Sequence, residues 1–235
     1  MATVRGWAVG VALLLTVAGW APARAAEARR TIAVMYFQNS ALMNPEAMAP
    51  LEKGLADMLI TELSKIRALS VVERSQLQKL VQEMGLGASG AISPQTAQQM
   101  GKLLGAQTLL LGSFATDLSG KKMRLDARIV ETETGLTLKA EEMTGKTDEL
   151  FRMVGKLTRK IARELRVSVT KEDEERLASV ENESLQAALH YSRGLDFEDA
   201  GEVDQALEEY GQALAINPQY AKARARVAAL KEGRQ

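Results

Sequence analysis

Apolar and polar positions along this chain follow two rhythms. Residues 31–37, TIAVMYF, form a continuous apolar and partly β-branched run, the mark of a buried strand. After the loop QNSALMNPEAMAP the rhythm changes. Leu51, Leu55, Met58, Leu59 and Leu63 recur at helical spacing and predict a helix from about Pro50 to Lys65. LSVVE, residues 69–73, is a short strand, and Leu77, Leu80, Val81 and Met84 mark a second helix. Ser93-Pro94 reads as an N-cap followed by proline at the first helical position, opening a helix that runs through residues 97–104.

The strand rhythm then returns. TLLLGSF, residues 108–114, is apolar throughout, as a central strand is. KMRLDARIVE alternates: Met123, Leu125, Ala127 and Ile129 face one way, Arg124, Asp126 and Arg128 the other. Gly135 turns the chain and LTLKAE alternates again, so the two runs form a hairpin with one dry and one wet face. Leu150, Phe151, Val154, Leu157, Ile161 and Leu165 give a last long amphipathic helix. The order β-α-β-α-α-β-β-β-α over residues 30–168 predicts an α/β fold of the α+β type, a mixed sheet covered by helices. A charged linker is expected over 169–184, partly helical, and an all-α unit over 185–235.

Within this pattern GLGASG, residues 85–90, has the glycine spacing of a dinucleotide-binding loop. That loop works only where a strand feeds a helix N-terminus. Here the glycines follow a helix, so they are read as a helix stop and a connection.

Composition narrows the function. Lys plus Arg and Asp plus Glu number 30 each, which gives no basic excess for nucleic acid. Residues 1–25 have the layout of a secretory signal peptide: Arg5, an apolar run from Trp7 to Trp20, then Ala23-Arg24-Ala25. The run is short for a membrane span, although an uncleaved anchor is the alternative. Without Arg5 and Arg24 the mature chain keeps 28 basic and 30 acidic residues. Cysteine is absent, which leaves neither a disulfide nor a residue to carry a lipid. The expected location is the periplasm, peripheral to the outer membrane, with no direct lipid anchor.

Residue types that carry chemistry are scarce. His190 is the one histidine, too few for a zinc site, and no G-x-S-x-G elbow serves a triad. Glu141, Glu142 and the run Glu172 to Glu175 are read as solvated charge, and Met35, Met43 and Met48 as core filling or adaptable contact surface. No catalytic, metal or cofactor site is expected.

From Ala187 the composition shifts to Ala, Leu, Glu and Tyr. Gly194, Phe197, Gly201, Ala206, Tyr210, Ala213 and Pro218 stand in a register that resembles a tetratricopeptide repeat. The fold class is completed by this C-terminal helical hairpin, with residues 221–233 as its capping helix. The resemblance implies a partner-binding groove lined by the first helix, with Tyr191, Leu195 and Glu198 pointing into it. A helical pair used only for packing or dimerisation is the alternative, since a lone repeat cannot bury its own faces.

The first domain resembles the curli production assembly/transport family, the CsgG/HfaB-like proteins, over about residues 31–165. The segments that carry this are IAVMYF, GLADMLITELSKIRALSVVERSQLQKLVQE, GAQTLLLGSF and LDARIVETETG. FlgO, the N-terminal domain of the Tol-system propeller protein and the lipoprotein activators of peptidoglycan synthases are similar at fold level. The resemblance implies a non-enzymatic envelope role in assembly or outer-membrane secretion, with envelope or outer-membrane proteins as partners, and homo-oligomers. Two alternatives stand beside it: an oligomeric secretion-channel subunit, and a periplasmic binder of small molecules or glycans. Membrane-barrel hairpins need about 9–11 residues per strand, and only ATDLSGK joins two of the strands here.

Overall fold

The computed structural model describes residues 29–85, 93–178 and 184–233. The expected leader over 1–25, most of the GLGASG stretch and residues 179–183 of the expected linker lie outside the described residues. Ten elements build the first part: β1 (Arg30–Asn39), α1 (Pro45–Met48), α2 (Leu51–Ser64), β2 (Leu69–Val71), α3 (Arg74–Glu83), α4 (Pro94–Leu103), β3 (Thr108–Thr116), β4 (Lys122–Glu131), β5 (Thr137–Lys146) and α5 (Leu150–Glu164). This is the expected order, with the single turn α1 added in the loop after β1. Four helices follow: α6 (Lys171–Ala178), α7 (Leu185–Asp199), α8 (Val203–Ile216) and α9 (Ala221–Glu232).

The sheet is mixed, in the order β2-β1-β3-β4-β5. β1 runs parallel to β2 and β3, while β3, β4 and β5 are antiparallel. The apolar runs β1 and β3 occupy the interior of the sheet and the alternating β4 lies beside the edge, as their patterns require. Met123, Leu125, Ala127 and Ile129 are buried on the face covered by α2 and α5. The opposite face carries α3 and α4 over β1 and the start of β3. Tyr36 donates to Gln78 of α3, and Gly101 of α4 lies against Thr132 and Leu109. Beyond these contacts no described residue covers β4 and β5 on this face, and Arg124 and Arg128 are exposed.

Local signals account for the helix ends. Ser93 caps α4, its Oγ accepting from the Thr96 N–H at 3.1 Å. Gly85 ends the α3 segment at φ 62°, a conformation cheap for glycine alone. At α6 the Thr170 hydroxyl accepts from the Asp173 N–H at 3.1 Å, and the Asp173 carboxylate accepts from the Thr170 N–H at 3.0 Å, a reciprocal cap. The same carboxylate takes Arg176 and the Arg67 N–H, which draws it fully out of water. Asp173 therefore departs from the solvated charge run expected over residues 172–175. Its neighbours Glu172 and Glu174 do sit at the surface, paired with Arg67 and Arg159.

α2 is the pivot of the molecule. Gly54, Leu55, Ala56, Asp57, Met58, Leu59 and Ile60 are all buried, so no face of this stretch meets water. One side rests on β1, another on α5, and a third takes α7. A helix closed in all round must be covered from several directions. The C-terminal helices supply the last of these covers.

Candidate partner-binding surfaces

The approach of α7 to α2 is set by small residues. A Cβ built on Gly54 would stand 1.8 Å from Ser192 Oγ and 2.9 Å from its Cβ, so the two backbones come close only because Gly54 has no side chain. Gly194 does the same for α8: its missing Cβ would lie 2.4 Å from the Tyr210 ring. Ala206 and Ala213 are buried between the helices, and Gly201 turns the chain at φ 77°. Tyr191 stacks at 5.6 Å on Tyr210 and at 5.0 Å on Tyr220, and Tyr220 meets Phe151 of α5 edge-on at 5.9 Å. An aromatic chain thus runs from the helical pair into the first domain, each contact adding to the burial.

Around this chain lies a network of charges. Asp57, 5% exposed, accepts from the Tyr191 hydroxyl at 2.9 Å and from Lys222 Nζ, which also reaches the Asp57 carbonyl at 2.7 Å. Arg74, 4% exposed, holds Asp199 at 2.7 Å and stands 3.9 Å from Asp57. Lys53 bridges Asp196 at 2.8 Å and Asp199 at 3.0 Å. Apart from the Arg74–Asp57 approach, which links α3 to α2, all of these join α2 or α3 to α7 or α9. Burial pushes the Asp57 carboxyl up, but Lys222 and Tyr191 outweigh it and hold it below the usual carboxylate range. Burial and the nearby Asp57 raise the Tyr191 phenol well above 10, so it remains a donor. Burial likewise works against the Arg74 charge, and Asp199 more than restores it.

These contacts correct the expected groove. Tyr191, 1% exposed, and Leu195 are core residues, because α2 of the same chain fills the space they face. Glu198 is half-buried and committed: it accepts from the Tyr210 hydroxyl at 2.6 Å and pairs with Arg226 at 3.2 Å. His190 pairs with Glu209 at 2.7 Å beside Arg193. The sequence shows that the inner face of α7 is apolar, but not that a helix about 130 positions upstream covers it. The signal lay in α2 itself, in the unbroken apolar run around Asp57.

A pH dependence follows from two buried carboxyls. Asp173 is pushed up by burial and pulled below its usual value by Thr170 and Arg176, the same net direction as Asp57. A depressed folded value adds stability that is fully present above about pH 4, where the unfolded carboxyl ionises, and that is lost as pH falls through the folded value. The thermal midpoint is therefore expected to be flat with respect to these groups from pH 5 to 7 and to fall below about pH 4. Asp173→Asn should flatten part of that acid limb, and an unchanged limb in this variant would count against the assignment.

What stays open is the second face of the sheet. Arg124 grips Asp126 at 2.7 Å and Glu142 at 3.1 Å. Arg128, between Leu111 and Ala140 in the ladder, has no ion pair among the described residues. β5 is the edge strand, and Lys160 covers its Glu142 carbonyl at 3.0 Å. Glu141, expected at the surface, is mostly covered on the α5 face and pairs with Lys160 at 3.0 Å. A cavity of about 570 Å³ lies at the far end of the sheet, lined by residues that include Arg30, Lys102, Gln107, Glu131 and Thr132. Its polar groups are largely used within the chain: Arg30 on Thr108 and the Leu165 carbonyl, Gln107 on the Thr31 N–H, Glu131 on Thr134. Among the described residues no three His, Asp or Glu side chains converge as a metal site would need, and no helix is long and apolar enough to cross a membrane.

Comparison with known proteins adds three findings. The family model described as curli production assembly/transport component CsgG matches residues 17–117, a stretch that ends at the first residue after β3, and supports a CsgG-like first domain. Over 154 residues, 65% of the chain, the sequence is 29% identical to a protein of Rhizobium meliloti (strain 1021) named "Putative adenylate cyclase 3". The chain spans 24% of that relative's length. Among solved structures it is similar to lipoprotein GNA1162 from Neisseria meningitidis, at 14% identity over 60% of this chain and 99% of that one, with a TM-score of 0.40. It is also similar to the LpoB C-terminal domain from Salmonella enterica, at 15% identity over 52% of this chain and 86% of that one, with a TM-score of 0.36.

Proposed function

We propose that this chain, CsgG-like over residues 17–117, is an exported component of the bacterial cell envelope that works by binding other envelope proteins and has no chemistry of its own. The family description, an assembly and transport component, supports the envelope setting. The observation that carries the binding role is the sheet face left uncovered by the described residues: among them Arg128 stands without an acidic partner beside Ala140 and Leu111, next to the Arg124–Asp126–Glu142 cluster. A fixed polar patch whose Arg128 has no ion pair among the described residues suits a partner that brings an acidic side chain, because the pair completes on contact.

In this reading residues 30–168 form the binding domain. Residues 185–235 form a single tetratricopeptide-type unit whose groove is used internally. The unit stiffens α2 and thereby the sheet behind it. A partner seeking the groove would have to displace α2, Tyr191 and Lys222 together.

A photo-reactive residue placed at Ala140 in cells is expected to capture envelope proteins, and Arg128→Glu is expected to cut that capture severalfold, because it sets like charges against each other. Capture of the same proteins at parental yield by Arg128→Glu would overturn the reading, as would an Ala140 probe that captures nothing above background.

A further inference from the structure

One end of the sheet carries a feature that the partner-binding face does not use. Lys122 and Lys146 are directly opposite each other in the β4–β5 ladder, on the open face, and Lys121 precedes them in the turn. Like charges in this position repel. One row along, Arg124 has Asp126 and Glu142, whereas none of the three lysines has an ion pair among the described residues. Asp117 is turned away onto the turn itself, accepting from Ser119 and from the N–H groups of Lys121 and Lys122. Asp148 and Glu149 follow in a 3-10 turn that leads to α5 on the other face, where Glu149 pairs with Arg152.

The same end presents apolar side chains to solvent. Leu118 in the β3–β4 turn is 72% exposed, the most exposed large apolar residue described. Leu42 and Met43, 67% and 42% exposed, follow the end of β1. β1 and β3 are parallel, and the Ser40 N–H donates to the Phe114 carbonyl at 2.8 Å, so the two loops leave the same end of the sheet. The turn is firmly held: Thr147 donates to the Gly120 carbonyl at 3.1 Å and its N–H to the Lys121 carbonyl at 3.0 Å. Exposed leucines on a braced tip, ringed by unpaired lysines, match a bilayer interface, where apolar side chains enter the acyl boundary and ammonium groups meet phosphate.

We infer that the Leu118–Lys121–Lys122–Lys146 tip docks the protein on a bilayer surface bearing anionic phospholipid, with Leu118, Leu42 and Met43 inserted at the headgroup boundary. The repulsion between Lys122 and Lys146 is relieved when phosphate lies between them.

The test is sedimentation of the purified full chain with vesicles of phosphatidylcholine, alone or with roughly one-third phosphatidylglycerol, at low and high salt. Comparing variants within the same full chain cancels any contribution from residues 1–28. The expected result is partition that depends on phosphatidylglycerol and weakens with salt. Lys121→Gln/Lys122→Gln/Lys146→Gln should lower it about a hundredfold, at about fivefold per lysine, and the matching triple Arg variant should retain it. Leu118→Gln should weaken it severalfold at both salt levels, with an unchanged thermal midpoint. Equal partition onto neutral and anionic vesicles, or parental partition by the triple Gln variant, would overturn the inference. So would loss of a crosslinked acidic protein in that variant with vesicle binding unaltered.

Discussion

Tyr191→Ala is expected to release α7, α8 and α9 from the sheet domain at a cost of about 3–5 kcal/mol, the range for truncating a fully enclosed aromatic side chain. The ring sits between Tyr210 and Tyr220, and the Lys222 ammonium lies 5.6 Å from its centre. Truncation removes the middle of this stack and leaves a cavity between Tyr210 and Tyr220, while α2 and α7 are already held in close approach at Gly54 and Ser192 and have little room to collapse onto it. It also deprives Asp57 of one of its donors.

A domain whose stability totals about 5–15 kcal/mol cannot absorb such a loss silently. The expected record is a lower denaturant midpoint together with new protease cuts between α6 and α7. Tyr191→Phe isolates the hydroxyl. It keeps the ring packing and should cost only about 1 kcal/mol, since Lys222 continues to satisfy the carboxylate. An alanine variant within about 1 kcal/mol of its parent would show that the helices rest on the sheet domain without depending on this ring.

How far the sequence announces this arrangement varies by element. β1 and β3 show themselves as apolar runs and β4 as strict alternation, since a strand's burial writes itself at a period of two. The β4–β5 hairpin departs from its expected dry and wet faces: its register shifts between Val130 and Ile129, Leu136 and Leu138 are exposed, and Ala140 lies opposite Arg128 on the wet face. α6 is harder to see. Its cap is built by Thr170 and Asp173 within a charged stretch, where a buried aspartate looks like its exposed neighbours until its donors are known.

The face of α7 is the clearest case of what one sequence leaves out. Apolar spacing at Tyr191 and Leu195 says that something covers them, and nothing local says whether the cover is a partner or the chain itself. The fact that decides it is long-range. Over residues 54–60 of α2 the side chains on every side are apolar or small, with a single aspartate among them, so this stretch must be enclosed between layers. An exposed tip such as Leu118 is legible only in the negative, as a leucine for which the fold has no use.

Asp57→Ala is the second large effect, and its size should depend on what stands opposite. Alone, it leaves Lys222 buried against α2 without its carboxylate, removes the acceptor of Tyr191 and takes a negative charge from beside Arg74. Breaking one side of a buried pair costs about 3–5 kcal/mol, because the remaining charge is stranded in a medium that solvates it poorly. Replacing both sides by apolar groups of similar length carries no such penalty. Asp57→Ala combined with Lys222→Met is therefore expected to be more stable than Asp57→Ala alone, with a coupling energy of at least about 1–2 kcal/mol in the double-mutant cycle. Salt should not erase that coupling, since the enclosed pair is screened far less than a surface pair such as Arg67–Glu172. If the two substitutions simply add, the ions seen between α2 and α9 fix nothing, and the hold of the helices on the sheet domain reduces to the aromatic stack and the small-residue contact at Gly54.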